Sequence, residues 1–144
     1  MADPPPLPRS VMVVDDSGIF GFTLSLEFRK HGWDIFCCGS AEEALRKVKE
    51  KRFDLILTDI FMPGMRGDEL ASVLLEQDPE QKIIVMSSMP REGLPPLPKK
   101  VAFLPKPVNV AMVLSAFERV KKSLPTGAYP VPPSAPPPPP PAKA

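Results

Sequence analysis

The sequence predicts an α/β protein built on a doubly wound, five-stranded parallel sheet. Two observations carry this prediction. Short, continuous apolar runs alternate along the chain with amphipathic segments of helical period, which is the pattern of βαβ units. Four of these runs end in polar residues, and the carboxyl ends of parallel strands are where such sheets bind ligands.

The first strand is predicted over residues 10–14, where an apolar run precedes two aspartates. A helix is predicted over residues 18–31, because a glycine that favours termination follows it. Its inward face is predicted from an apolar stripe at helical spacing, which consists of Ile19, Phe22, Leu26 and Phe28.

The second strand is predicted over residues 33–38. Ser40 is then expected to cap a helix, and Glu43 three residues later completes a capping box. The buried side of that helix is predicted to comprise Ala44, Leu45 and Val48. The third strand is predicted over residues 53–57 and runs into Asp59.

A helix over residues 68–77 follows a glycine-containing loop, and the fourth strand is predicted over residues 82–86. The fifth strand is predicted over residues 101–104, and an amphipathic helix over residues 110–122 closes the domain. The inward residues expected on these two helices are Leu70, Val73, Leu74, Val113, Leu114, Phe117 and Val120.

The interval between the fourth and fifth strands departs from this alternation. It contains Pro90, Pro95, Pro96 and Pro98. Because proline inside a helix costs about 3 kcal/mol, several in succession exclude a regular helix of normal length. A loop, or at most one turn, is predicted there.

Composition divides the chain of 144 residues into one domain and two ends. Residues 1–8 form a proline-rich leader that is predicted to be disordered. Residues 9–124 form the domain, and residues 125–144 form a proline-rich tail predicted to be disordered or polyproline II.

The net charge of +1 gives no basic field that would attract nucleic acid or an anionic membrane. No apolar run approaches the roughly 20 residues that span a bilayer. The leader also lacks the layout of a signal peptide, so a cytoplasmic location is expected.

The polar residues at the predicted strand ends form one candidate site. They are Asp15, Asp16, Asp59, Ser87 and Lys106. Neighbouring carboxylates repel each other, which suggests that a hard cation bridges them. The lysine suggests that an anion binds beside that cation.

Four sequence segments now point to a family. They are Val-Val-Asp-Asp at 13–16, Leu-Thr-Asp-Ile-Phe-Met-Pro-Gly-Met at 57–65, Ile-Ile-Val-Met-Ser-Ser at 83–88 and Phe-Leu-Pro-Lys-Pro at 103–107. In this order, they resemble the receiver domain of bacterial two-component response regulators, of the stand-alone type found in chemotaxis. The resemblance covers residues 10–124 and implies a flavodoxin-like receiver fold.

The resemblance implies that Asp59 accepts a phosphoryl group from a sensor histidine kinase or a histidine phosphotransfer protein. It implies that Asp15 and Asp16 hold Mg²⁺ together with Asp59 and the backbone carbonyl of Phe61. Phosphoryl transfer depends mainly on positioning and charge neutralisation, which suits this set of groups.

Three further roles follow from the same resemblance. Lys106 pairs with the phosphoryl oxygens, Ser87 supplies the switch hydroxyl, and Phe103 is the aromatic that moves with it. The protein is then a signalling phosphoprotein, not an enzyme with an external substrate. It catalyses only its own phosphorylation and dephosphorylation, and signals to an unknown downstream protein.

Two alternatives remain open at the level of sequence. A pseudo-receiver would serve as an interaction module without control by phosphorylation, which the proline-rich interval favours. An aspartate-nucleophile phosphatase would also use Asp, Ser, Lys and Mg²⁺, but its Asp-x-Asp motif after the first strand is not matched by Asp15-Asp16-Ser17. For the tail, a polyproline-binding partner competes with a role as a stiff solubilising segment.

Overall fold

A computed structural model describes residues 9–121; the predicted leader 1–8 and tail 125–144 lie outside the described residues, and their boundaries stay predictions. The sheet has five parallel strands in the order β2-β1-β3-β4-β5. The strands are β1 Ser10–Val14, β2 Asp34–Cys38, β3 Leu55–Asp59, β4 Ile83–Ser87 and β5 Ala102–Pro105. The predicted fold class is confirmed.

Within residues 9–121, four α-helices cover the sheet, and each follows a strand along the chain. They are α1 Gly18–Lys30, α2 Ala41–Val48, α3 Gly67–Gln77 and α4 Val110–Lys121. Side chains of α1 and α4 share one core cluster, and those of α2 and α3 share the other. Strand order reverses between β1 and β3, which opens a crevice at their carboxyl ends. Within residues 9–121, no helix has the length and hydropathy that a membrane crossing requires.

The predicted inward face of α1 is wrong for three of its four residues. Ile19, Phe22 and Leu26 are exposed, and only Phe28 is buried. The buried residues of this helix are Gly21, Leu24, Ser25 and Phe28. They follow the same helical spacing but lie about 140° around the helix from Ile19, Phe22 and Leu26, and they place the small Gly21 against β2. A Cβ on Gly21 would lie 3.2 Å from the Cys37 sulfur, so the close approach of α1 to the sheet selects this face.

The start of α2 agrees with the predicted cap. The Ser40 hydroxyl accepts a hydrogen bond from the Glu43 backbone N–H at 3.1 Å. In a capping box, the Glu43 carboxylate would accept a second hydrogen bond from the Ser40 N–H. Here it accepts from the N–H of the preceding residue, Gly39, at 3.0 Å. The first bond satisfies a donor that the helix start leaves without a partner, and the second fixes the chain just before the cap.

The connection between β4 and β5 contains only a single turn of 3₁₀-helix, Arg91–Gly93, as the prolines predict. Leu94 and Leu97 are half-buried and pack against the core cluster of α2 and α3. This segment, residues 89–100, is hereafter the proline strap. It covers the sheet with two leucines where a helix would use a full apolar face.

The two cysteines differ in exposure because successive strand residues point to opposite faces. Cys37 is exposed, and Cys38 is buried. Burial raises the pKa of both thiols. For Cys38, the negative charge of Glu43 adds to the effect of burial, and the pKa rises to about 12.

We expect alkylation to separate these two thiols, because the thiolate is the reactive species and access limits its reaction. In native protein at about pH 8, iodoacetamide is expected to modify Cys37 slowly and to leave Cys38 unmodified. In urea, both are expected to react. Peptide mapping measures this, and equal native labelling of the two thiols would contradict the described burial.

Candidate functional site

Two aspartates meet at the crevice because their strands are neighbours. Asp59 is the last residue of β3, and Asp15 directly follows β1. The parallel register pairs Val14 with Thr58, which brings the two strand ends level. The Asp15 backbone N–H also donates to the Cys38 carbonyl at 3.0 Å, which continues the sheet by one bond. Both carboxyl-bearing residues are buried.

Lys106 joins these two carboxylates. Its Nζ donates to Asp15 Oδ2 and to Asp59 Oδ2, both at 3.1 Å. The Lys106 backbone N–H donates to the Ser87 carbonyl at 2.9 Å, which anchors the residue beyond the end of β5. The ammonium also lies 5.0 Å from the centre of the Phe20 ring of α1. One cation thus neutralises part of the charge of a buried acidic pair.

Asp16 completes an acidic cluster with Asp15 and Asp59. One carboxylate oxygen from each lies within 4.8 Å of the others. Two oxygens bound to one Mg²⁺ ion lie at most about 4.2 Å apart, so only a small inward movement is needed to share the ion. The Ser17 N–H donates to Asp15 Oδ1 at 2.7 Å, which orients that carboxylate. The donor set, all hard oxygens, fits Mg²⁺.

The electrostatics of the pair follow from burial and proximity. Burial raises the pKa of Asp59 above its ordinary value, Lys106 opposes that increase, and the charge of Asp15 adds to it. For Lys106, burial lowers the pKa, but hydrogen bonds and charges from both aspartates outweigh burial and raise it overall. The lysine is therefore a cation at neutral pH, beside a carboxylate whose charge costs free energy.

The remaining predicted residues lie around this cluster. Ser87 ends β4 next to β3, and its hydroxyl accepts a hydrogen bond from the Met89 N–H at 3.0 Å. Phe103 pairs with Val85 across β4 and β5, and its half-buried side chain packs against the core. The Phe61 side chain is exposed two residues after Asp59. The structure therefore brings Asp15, Asp16, Asp59 and Lys106 into one cluster and places Ser87 beside it.

Gly67 is a site residue that the sequence reasoning missed. Its backbone packs directly on the carbonyl of Asp59, and a Cβ there would lie 2.8 Å from the Asp59 carbonyl carbon and 2.9 Å from the Ile60 Cα. Its N–H donates to the Ile60 carbonyl at 2.7 Å. No local signal distinguishes this glycine from Gly64, three residues earlier, which has φ of 81° in the loop.

The family model for the response regulator receiver domain matches residues 11–96. A chemotaxis protein CheY of Thermotoga maritima is 31% identical over 79% of this chain and 98% of its own length. A response regulator receiver protein of Anaeromyxobacter is 34% identical over 74% of this chain, but this covers only 46% of that protein.

Solved structures agree with these matches. The response regulator TrrA of Thermotoga maritima, in complex with Mg²⁺-BeF, is 25% identical with a TM-score of 0.67. The match covers 78% of this chain and 98% of TrrA. The resemblance inferred from four sequence segments is thus supported independently at the level of the whole fold.

Proposed function

Because this chain belongs to the receiver-domain family of two-component response regulators, we propose that it accepts a phosphoryl group on Asp59 and signals by protein contacts. The observation that carries the proposal is the position of Lys106, whose Nζ is 3.1 Å from both Asp15 and Asp59. That arrangement leaves a buried carboxylate next to a cation at the open edge of the sheet, where an anionic group can approach.

The transfer forms one bond to phosphorus and breaks one. The Asp59 carboxylate oxygen bonds to phosphorus while the bond from phosphorus to the donor nitrogen of a histidine breaks, and the electron pair leaves with the imidazole, which takes up a proton. Lys106 then exchanges its bond to Asp59 for one to a phosphoryl oxygen. Since phosphoryl transfer needs mainly positioning and charge neutralisation, these groups are sufficient on the protein side.

Asp15, Asp16 and Asp59 are proposed to hold Mg²⁺, together with the backbone carbonyl of Phe61. The support is the spacing and chemistry of the three carboxylates, and the Mg²⁺-BeF complex formed by the related protein TrrA. When bound, Mg²⁺ supplies positive charge to the transferring phosphoryl oxygens. The carboxylates position it, and the adjacent strand ends hold them in place.

The switch is proposed to use Ser87 and Phe103. The Ser87 hydroxyl now accepts from the Met89 N–H, and the same hydroxyl is able to donate to a phosphoryl oxygen on Asp59. Rotation toward the phosphoryl group breaks the contact with Met89, the first residue of the proline strap. Sensor kinases or histidine phosphotransfer proteins are the proposed donors, and the strap is a candidate surface for downstream proteins.

The Mg²⁺ site is expected to appear as a thermal shift. A ligand bound only by folded protein raises the unfolding free energy by about 1.4 kcal/mol at ten times its Kd. We expect Mg²⁺ to raise the Tm of the wild type and Asp16→Asn to lose most of that increase. Asp16 is exposed, so the variant is expected to fold.

The control for this measurement is Asp34→Asn, the same change at an exposed residue. Asp34 is the first residue of β2, so it lies at the amino ends of the strands, away from the acidic cluster at their carboxyl ends. Its Tm is expected to respond to Mg²⁺ as the wild type does. An equal response in all three proteins would show that the acidic cluster does not bind the ion.

Phosphorylation itself is tested with a small acyl phosphate, with and without Mg²⁺, followed by intact mass. The proposal predicts one added phosphoryl group, and only with Mg²⁺. No incorporation under either condition would favour the pseudo-receiver. Multiple turnover of a phosphomonoester would instead favour a phosphatase.

A further inference from the structure

The exposed side of α1 carries an apolar stripe that nothing in the described structure covers. Ile19 is 82% exposed, Phe22 is 65% exposed and Leu26 is 47% exposed. These residues, hereafter the α1 stripe, follow each other along one face of the helix. Among residues 9–121, the other large apolar side chains with such exposure are Phe61 and Met89, which lie in separate loops. Three adjacent exposed apolar side chains on one helix are a candidate binding face.

A second copy of the chain is a poor occupant for this stripe. A stable protein interface buries about 800 Å² on each partner. Three side chains on one helix cannot supply that area, and the flanking residues of the helix, such as Glu27 and Lys30, are charged and pair with each other at 3.6 Å. A segment tethered to the same chain needs much less area, because tethering supplies an effective concentration of about 1 mM.

Such a segment continues from a helix that contacts α1. α1 and α4 contact each other on the same face of the sheet, and both run antiparallel to the strands, so their C-terminal ends lie at the same edge. Residues 122–144 continue from the end of α4. In polyproline II they would extend about 70 Å, whereas the distance along α1 from Lys30 to Ile19 is about 16 Å. The tail has ample length to follow the helix.

The composition of the tail matches the stripe. Residues 125–142 contain no charged side chain, and their apolar surface comes from proline rings, Tyr129 and Val131. Polyproline II is already ordered when free and packs its rings on aromatic and aliphatic surfaces. It repeats a face every three residues, about 9 Å, which is close to the spacing of about 10 Å between Ile19 and Leu26.

We propose that the proline-rich tail, residues 125–141, packs along the α1 stripe of its own chain and covers Phe22. The stripe begins three residues after Asp16, so the docked tail borders the phosphorylation pocket.

The test uses the full-length chain and does not require phosphorylation. Methyl and amide NMR signals of the wild type are compared with those of a tail variant in which Pro130, Pro132, Pro133 and Pro136 to Pro141 are changed to serine. The proposal predicts shifts at Ile19, Phe22 and Leu26, and greater broadening of these signals by a soluble nitroxide in the tail variant. Signals of α3, on the other face of the sheet, are expected to stay unchanged.

Two substitutions make the result specific. Phe22→Ser is expected to remove the difference between native and serine tails, because the docking surface is lost. Met89→Ser, a matched change at another exposed apolar residue, is expected to leave that difference intact. In trans, a peptide of residues 125–144 is expected to shift the α1 stripe of the tail variant only at about 1 mM or above, since binding is weak without the tether.

Each other outcome overturns the proposal. Identical spectra for native and serine tails would mean that the tail does not dock. Shifts that grow with protein concentration, together with a larger mass in sedimentation, would identify a second copy as the occupant. Shifts located away from α1 would place the tail elsewhere. None of these outcomes depends on whether Asp59 is phosphorylated.

Discussion

Asp59→Asn is expected to abolish phosphorylation by a small acyl phosphate while leaving the fold intact. The amide keeps the shape of the side chain and still accepts a hydrogen bond from Lys106, but it is not a nucleophile toward phosphorus. Asp59 is buried beside Asp15, and burial raises its pKa. Removing its charge relieves a cost of folding, so a lower stability is not expected.

The measurement is intact mass after incubation with the acyl phosphate and Mg²⁺, followed by mapping of the modified peptide. Asp34→Asn is the matched control and is expected to retain full incorporation, because this exposed residue lies at the opposite edge of the sheet. Thermal unfolding of both variants separates loss of chemistry from loss of fold. Undiminished incorporation in Asp59→Asn, mapped to Asp15 or Asp16, would assign the acceptor to another carboxylate.

Gly67→Ala is expected to be the most destabilising single-methyl change near the site. The added Cβ would overlap the Asp59 carbonyl, and it would lie 2.9 Å from the Ile60 Cα. Those neighbours are backbone atoms at the end of a central strand, so they cannot move aside as a flexible side chain would. Overpacking of this kind costs about 3 kcal/mol, and here the strain displaces Asp59 itself.

Urea unfolding measures this cost. Gly18→Ala is the matched control, because a Cβ at Gly18 meets nothing within 4 Å. Alanine there is expected to be neutral or to stabilise the helix start by less than about 1 kcal/mol. Equal midpoints for the two variants would contradict the close packing of Gly67. Retained phosphorylation in a destabilised Gly67→Ala protein would show that Asp59 tolerates the displacement.

The predicted elements agree closely with the structure where local pattern is sufficient. Every strand was located to within two residues at each end, because each is an apolar run that stops at a polar residue or turn. The proline strap was predicted for an equally local reason, since proline is incompatible with a helix interior wherever the helix packs.

The predicted buried face of α1 was wrong because its hydrophobic pattern is compatible with two different buried faces. α1 has apolar residues on both of its sides, so periodicity supports either face as the buried one. The small residues Gly21 and Ser25 decided the matter, because they allow close packing on β2, and a hydrophobicity pattern gives them no weight. Ile19, Phe22 and Leu26 were therefore assigned to the core although the structure exposes them.

The sequence by itself determined which polar residues meet at one end of the sheet. Asp15, Asp16, Asp59, Ser87 and Lys106 were identified because each follows a recognisable strand, and parallel strands must bring their carboxyl ends to one edge. The tertiary structure alone decided which face of α1 meets the sheet and which glycine supports Asp59. Both depend on how closely two backbones approach across the fold, and that distance is set by packing between segments far apart in the chain, which no local pattern encodes.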